Sequence, residues 1–145
     1  MSRESLESTC KQFIDSLLGH NTRHVLCLNI SEPGFEADQI AADYLTSKGK
    51  TVARLAEPTS TAFQEALDDV SGKVIVASFE DLDKHPKCID VLAEHVVKPH
   101  PKGQLVVVSR AWNSDNTPKE RELRKSCFFY TQHQAVEPKP TKKKS

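Results

Sequence analysis

Short apolar runs alternate with longer segments whose apolar residues recur at helical spacing. Residues 24–30 (HVLCLNI) are continuously apolar and too short for a helix between turn residues. This pattern predicts a central strand that is buried on both faces. Similar apolar runs predict four further strands, over residues 51–56, 73–78, 104–110 and 127–131.

The segments between these runs predict helices. Residues 2–19, 36–48 and 118–125 are amphipathic or strongly charged, and two further helices begin at Thr59 or Ser60 and at Pro86. The apolar stripe expected in the first helix consists of Leu6, Cys10, Phe13, Leu17 and Leu18.

Five strands that alternate with helices predict a mainly parallel five-stranded sheet, because parallel neighbours need crossover connections. We therefore expect the α/β class with three layers, α/β/α. The spacing of the strands along the chain is compatible with two strand orders, a P-loop-like 5-1-4-3-2 and a flavodoxin-like 2-1-3-4-5. The expected organisation is a lead-in helix over residues 1–22 packed on the domain, an α/β domain over residues 23–134 and a disordered basic tail over residues 135–145.

Composition narrows the class of protein. The chain has 145 residues, 37% of them hydrophobic, which suits one domain. Twenty basic residues balance twenty acidic ones, so no overall field attracts nucleic acid or a membrane. Four cysteines without a Cys-x-x-Cys pair suit a reduced, cytoplasmic setting. The sequence shows no apolar signal core and no run long enough for membrane insertion.

The loop after the first strand, residues 31–38 (SEPGFEAD), occupies the position of a phosphate-binding loop. Its residues Glu32, Pro33 and Gly34 resemble the AAA-type ATPase family, whose loops often read G-E-P-G-x-G-K-[ST]. The order of the later elements, from residue 23 to residue 131, is also similar to that family. The resemblance implies a degenerate P-loop-like core and favours the strand order 5-1-4-3-2.

The chain departs from that family at the positions that hold phosphate. Ser31 and Glu36 replace the two glycines, Ala37 replaces the lysine and Asp38 replaces the hydroxyl residue. The loop thus has two carboxylates where the family has an ammonium group, which disfavours a polyphosphate. In the first turn of a helix, Glu36 and Asp38 instead complement the helix dipole.

No catalytic residue, cofactor or metal is predicted. Where the family places an Asp-Glu pair after the third strand, this chain has Ser78 and Phe79. His20 and His24 are four residues apart but straddle a helix end and a strand start, and Pro99 interrupts the pair His95 and His100, so neither pair has helical ligand geometry. Cys27 and Cys127 fall in strand runs that predict burial.

The sequence therefore favours a non-catalytic module that binds and regulates or inhibits another protein, with an ATPase subunit as the candidate partner. In α/β sheets, ligands bind outside the carboxyl ends of the strands. Exposed aromatic residues in these loops would serve as interface anchors. The expected partner-binding residues are Glu32, Phe35, Phe79, Asp81, Arg110, Trp112 and Asn113.

Two alternatives stay open. In the first, the protein is a nucleic-acid-associated accessory factor whose basic carboxyl-terminal region contacts phosphates. In the second, it is a weak nucleotide-binding enzyme with unorthodox loops. The nucleic-acid residues would be Lys119, Arg121, Arg124, Lys125, Lys142, Lys143 and Lys144.

Overall fold

The computed structural model describes residues 3–19, 23–97, 103–112 and 118–132. These residues form five α-helices, five β-strands and one 3₁₀ turn, Leu82–Lys84. The strands are β1 (Val25–Ile30), β2 (Val52–Ala56), β3 (Val74–Phe79), β4 (Gln104–Ser109) and β5 (Phe128–Gln132). The helices are α1 (Arg3–Leu18), α2 (Ala37–Ser47), α3 (Ser60–Asp68), α4 (Pro86–Val97) and α5 (Pro118–Ser126).

The strands form one sheet in the order β2-β3-β4-β1-β5. This is the P-loop-like order 5-1-4-3-2 read from the other edge, so the α/β prediction is confirmed and the flavodoxin-like alternative is wrong. Every observed pairing is parallel. At the centre of the sheet, Cys27 lies beside Val107 on one side and Phe129 on the other.

Helices cover both faces of the sheet. Leu26 and Leu28 of β1 share a core cluster with α1 and α2, whereas Val25 and Cys27 share the opposite cluster with α3, α4 and α5. Right-handed crossovers explain this division, because the chain runs from β1 to one edge and then returns across the sheet. Every residue of β1 is buried, as its continuously apolar sequence predicts.

The first helix differs in detail from its predicted stripe. Ile14 is buried with Leu6, Cys10 and Leu17, while Phe13 and Leu18 are only partly buried. The predicted basic tail lies outside the described residues. No helix in the described ranges is long and apolar enough to cross a membrane.

Cys10 links the stability of this helix layer to pH. Burial, with a smaller contribution from Glu7, raises the pKa of Cys10 from 9.0 to about 12. Above pH 9.0 the unfolded thiol loses its proton while the folded thiol keeps it, so stability is fully present below that pH and falls as pH rises towards 12. Relative to Cys10→Ala, we expect the wild-type free energy of unfolding to fall by about 1.4 kcal/mol per pH unit in this window.

Urea denaturation of both proteins at about pH 8 and about pH 10.5 measures this difference. The variant serves as the control, because it retains every other group that titrates at alkaline pH. A difference between the two proteins that stays constant with pH would contradict the assignment.

Candidate functional site

A cleft of about 310 Å³ opens at the carboxyl edge of the sheet. It lies where the connection after β1 leads to one face of the sheet and the connections after β3 and β4 lead to the other. Such a switch point is the usual ligand position in open α/β sheets. The polar side chains in its lining belong to Glu36, Asp38, Glu57, Ser78, Glu80 and Arg110.

Arg110 holds the loop between β1 and α2 in place. Its guanidinium group donates hydrogen bonds to the carbonyl oxygens of Glu32, at 3.1 Å, and Phe35, at 2.9 Å. Its Nε atom lies 3.6 Å from a carboxylate oxygen of Glu80. In a phosphate-binding loop, backbone N–H groups face the ligand. Here two loop carbonyls face a cation that the chain itself supplies.

A second arginine holds the same loop from the α1 side. Arg3 donates from Nη1 to the carbonyl oxygen of Gly34 at 3.1 Å, and its guanidinium lies 5.9 Å from the centre of the Phe35 ring. The Phe35 N–H donates to the Glu32 carbonyl at 3.2 Å and closes a turn. Gly34 adopts a φ of 73°, the left-handed conformation that glycine enters without steric cost.

The first turn of α2 carries an acidic residue that has its own counter-charge. Asp38 accepts a hydrogen bond from Arg54 at 2.9 Å, and the other Nη atom of Arg54 donates to Gln39 at 3.0 Å. Glu36 is the N-cap residue, and its side chain makes no capping hydrogen bond. The start of α2 therefore presents carboxylates to the cleft.

Glu57 connects the ends of β2 and β3. Its carboxylate accepts a hydrogen bond from the backbone N–H of Glu80 and lies 3.0 Å from Nε2 of His85. Its own N–H donates to the Ser78 carbonyl at 2.8 Å. Glu57 has a φ of 48°, which is uncommon for a residue other than glycine. These bonds hold the turn in that conformation.

Sequence reasoning missed the Glu57–His85 pair. Glu57 directly follows the second predicted strand. Because parallel strands end at the same edge of a sheet, the sequence position of Glu57 was sufficient to predict that it lies near the cleft. The imidazole partner comes from the segment between β3 and α4. Only the tertiary structure brings these two residues together.

The cleft environment is acidic. Four carboxylates, from Glu36, Asp38, Glu57 and Glu80, lie at the cleft with three guanidinium groups, from Arg3, Arg54 and Arg110, so carboxylates outnumber guanidinium groups by one. The side chain of Glu80 is 78% exposed, so its charge is available to a molecule in solution. This excess of carboxylates repels anions and attracts cations.

The expected exposure of the three aromatic anchors is wrong. Phe35, Phe79 and Trp112 are 1%, 3% and 4% exposed. Phe35 enters the core layer of α1 and α2, and Phe79 contacts Phe63 with ring centres 6.0 Å apart. Trp112 contacts Phe129 with ring centres 5.3 Å apart. Each aromatic side chain turns back into the core, because burial of its apolar area is favourable.

The other predicted partner-binding residues are partly brought together. Arg110 contacts the loop that contains Glu32. Asp81 instead accepts a hydrogen bond from the N–H of Asp83 at 3.0 Å and caps the 3₁₀ turn. Asn113 lies outside the described residues. Ser78, a cleft residue that was not predicted to bind a partner, donates to the carbonyl oxygen of Leu55 at 3.4 Å.

The predicted nucleic-acid residues are only partly described. Arg121 and Lys125 are exposed on α5, and Lys125 lies 3.4 Å from Glu122. Lys119 and Arg124 belong to the same helix. Lys142, Lys143 and Lys144 lie outside the described residues, so this surface has no complete geometry.

Within the described ranges, no group of three or more His, Cys, Asp or Glu side chains could hold a metal ion. Neither a protein-family profile nor a curated protein matches this chain.

Proposed function

We propose that this protein is a non-catalytic protein-binding module that regulates or inhibits its partner, and that the acidic cleft receives a basic segment of that partner. The observation that carries the proposal is the inverted chemistry of the loop after β1. Its carbonyls bind Arg110, and carboxylates occupy the rim where a nucleotide phosphate would need positive charge.

The position of Arg110 supports a binding role over phosphate chemistry. Its guanidinium contacts two carbonyls of the loop and the Glu80 carboxylate, so its charge is partly neutralised within the protein. A polyphosphate would approach Glu36 and Asp38 without the lysine that normally compensates for its charge. A lysine or arginine side chain of a partner would find complementary charge in the same place.

The class of partner rests on the resemblance to AAA-type ATPases. The observed strand order, which is the P-loop-like order, supports an assembly with an ATPase subunit of similar shape. In such an assembly this chain would contribute surface and charge rather than a reacting group. The protein should then change the ATPase rate of its purified partner without hydrolysing ATP itself.

Charge reversal at the rim tests the cleft as the binding surface. We expect Glu36→Lys and Glu80→Lys each to reduce partner capture at least about tenfold, because a like charge then faces the basic partner. Glu65→Lys on α3 makes the same charge change at another exposed position and should leave capture unchanged. Quantitative mass spectrometry of proteins retained by each immobilised variant measures the effect, after the thermal midpoints are shown to agree.

If Glu36→Lys and Glu80→Lys capture as much partner as Glu65→Lys does, the cleft is not the binding surface. Calorimetric titration with ATP and GTP in the presence of magnesium addresses the enzyme alternative. Saturable heat of binding would contradict the non-catalytic proposal, because the loop would then hold phosphate despite its charges.

A further inference from the structure

Two cysteines that are 100 positions apart in sequence meet in the core. The sulfur atoms of Cys27 and Cys127 lie 3.9 Å apart, and both residues are buried. Cys27 is part of the central strand β1, and Cys127 is the residue that joins α5 to β5. The other two cysteines lie elsewhere: Cys10 is in α1, and Cys88 donates from its sulfur to the Pro58 carbonyl.

The surroundings of Cys27 suppress formation of its thiolate. The hydrogen bond to Cys127 and the burial of the side chain raise the pKa of the Cys27 thiol well above its ordinary value. Cys127 also donates to the Leu123 carbonyl at 3.3 Å. Both sulfurs are buried, so the closed structure keeps oxidants away from them. A disulfide is neutral, so the same apolar surroundings that disfavour the thiolate do not oppose that product.

The second cysteine directly precedes a strand at one edge of the sheet. In the described sheet, β5 is an edge strand whose only strand neighbour is β1. Among the described side chains of α5, Leu123 is buried in the core cluster. Local opening of an edge unit breaks fewer contacts than opening of the sheet centre. Separation of α5 and β5 from β1 would expose the two thiols together.

We propose that Cys27 and Cys127 form a redox-controlled cross-link that locks the α5–β5 unit to the central strand, with a peroxide as the oxidant. One thiol loses its proton, and the thiolate attacks a peroxide oxygen. The O–O bond breaks, water leaves and a sulfenic acid forms. The second thiolate attacks that sulfur, the S–O bond breaks, a second water leaves and the disulfide forms. The two thiols lose two electrons in total, and hydrogen peroxide gains them.

The test uses the full-length wild-type protein, reduced and then treated with hydrogen peroxide under native conditions. Remaining thiols are alkylated, and peptides are mapped by non-reducing mass spectrometry. We expect a peptide pair linked through Cys27 and Cys127 in monomeric protein. The link should persist in Cys10→Ala and Cys88→Ala, which remove the other two thiols. Links that involve only Cys10, Cys88 or a second molecule would overturn the proposal.

Hydrogen exchange tests whether the cross-link acts as a lock and needs no variant. We expect the amides of β5 to exchange at least roughly tenfold more slowly in the oxidised wild-type protein than in the reduced protein. The reason is that the cross-link opposes separation of β5 from β1. Amides of β2, at the opposite edge of the sheet, provide the internal control and should change little. Exchange in β5 that is equal or faster after cross-linking would overturn the lock.

Discussion

Replacing Phe35 by alanine should lower the free energy of unfolding by about 3–5 kcal/mol. The side chain is 1% exposed and belongs to the core cluster of α1 and α2, so its removal leaves a cavity beneath the loop that lines the cleft. It also removes the ring beside the Arg3 guanidinium. Urea denaturation of the wild-type and variant proteins measures the difference.

Phe35→Leu is the matched control, because it retains most of the apolar volume and should cost less than the alanine variant. At a temperature where both variants are folded, each should capture as much partner as the wild-type protein does, because neither substitution changes the charges that line the cleft. An alanine variant within about 0.5 kcal/mol of wild type would contradict burial of Phe35 and restore its interpretation as an exposed anchor.

Replacing Gly103 by alanine should destabilise the protein by about 3 kcal/mol or more. A Cβ atom at this position would lie 2.0 Å from the Val70 carbonyl oxygen and 2.7 Å from the Lys73 carbonyl oxygen. Both obstacles are backbone atoms, so no side-chain rotation relieves the overlap. The expected result is a large decrease in the urea midpoint, measured by circular dichroism.

Gly72→Ala is the control for the loss of glycine without a steric overlap. Gly72 has a φ of 78°, and a Cβ atom there would have no heavy atom within 4 Å other than those of its chain neighbours. We expect a cost of about 1 kcal/mol there, from the left-handed backbone alone. If Gly103→Ala and Gly72→Ala lower the free energy of unfolding by the same amount, the close approach of backbone atoms is not the reason for glycine at position 103.

The close approach at Gly103 matters because it sets the start of β4. The Gln104 N–H donates to the Lys73 carbonyl at 3.2 Å, which positions β4 beside β3. The register then places Ser109 beside Phe79, at the carboxyl edge. Arg110, the next residue, thereby reaches the loop after β1. A steric requirement at the amino edge of the sheet thus supports the geometry of the cleft at the other edge.

The elements of the fold were accessible from sequence because their signals are local. The apolar run that forms β1 is too short for a helix, and Pro86 and Pro118 begin helices where the missing N–H is tolerated. The resemblance in the first loop favoured the strand order that the structure has. The partner and the functional class remain predictions.

The candidate site was only partly predictable. The sequence placed Glu32 and Arg110 in loops at the carboxyl edge of the sheet, and the structure pairs β1 with β4 and joins Arg110 to the Glu32 carbonyl. It could not show whether Phe79 and Trp112 point outward or into the core. An aromatic residue at a strand end suits either environment, and the choice depends on space left by helices that are distant in sequence.

The sequence alone determined the class of the fold, the approximate positions of its strands and helices, and the residues of the loop after the first strand, which include no lysine. These properties follow from periodicity and residue identity over short stretches. The tertiary structure alone decided that loop carbonyls bind Arg110, that Glu57 meets His85 and that Cys27 meets Cys127. Each of these contacts joins residues 28 or more positions apart, and such distances depend on how the whole sheet is assembled.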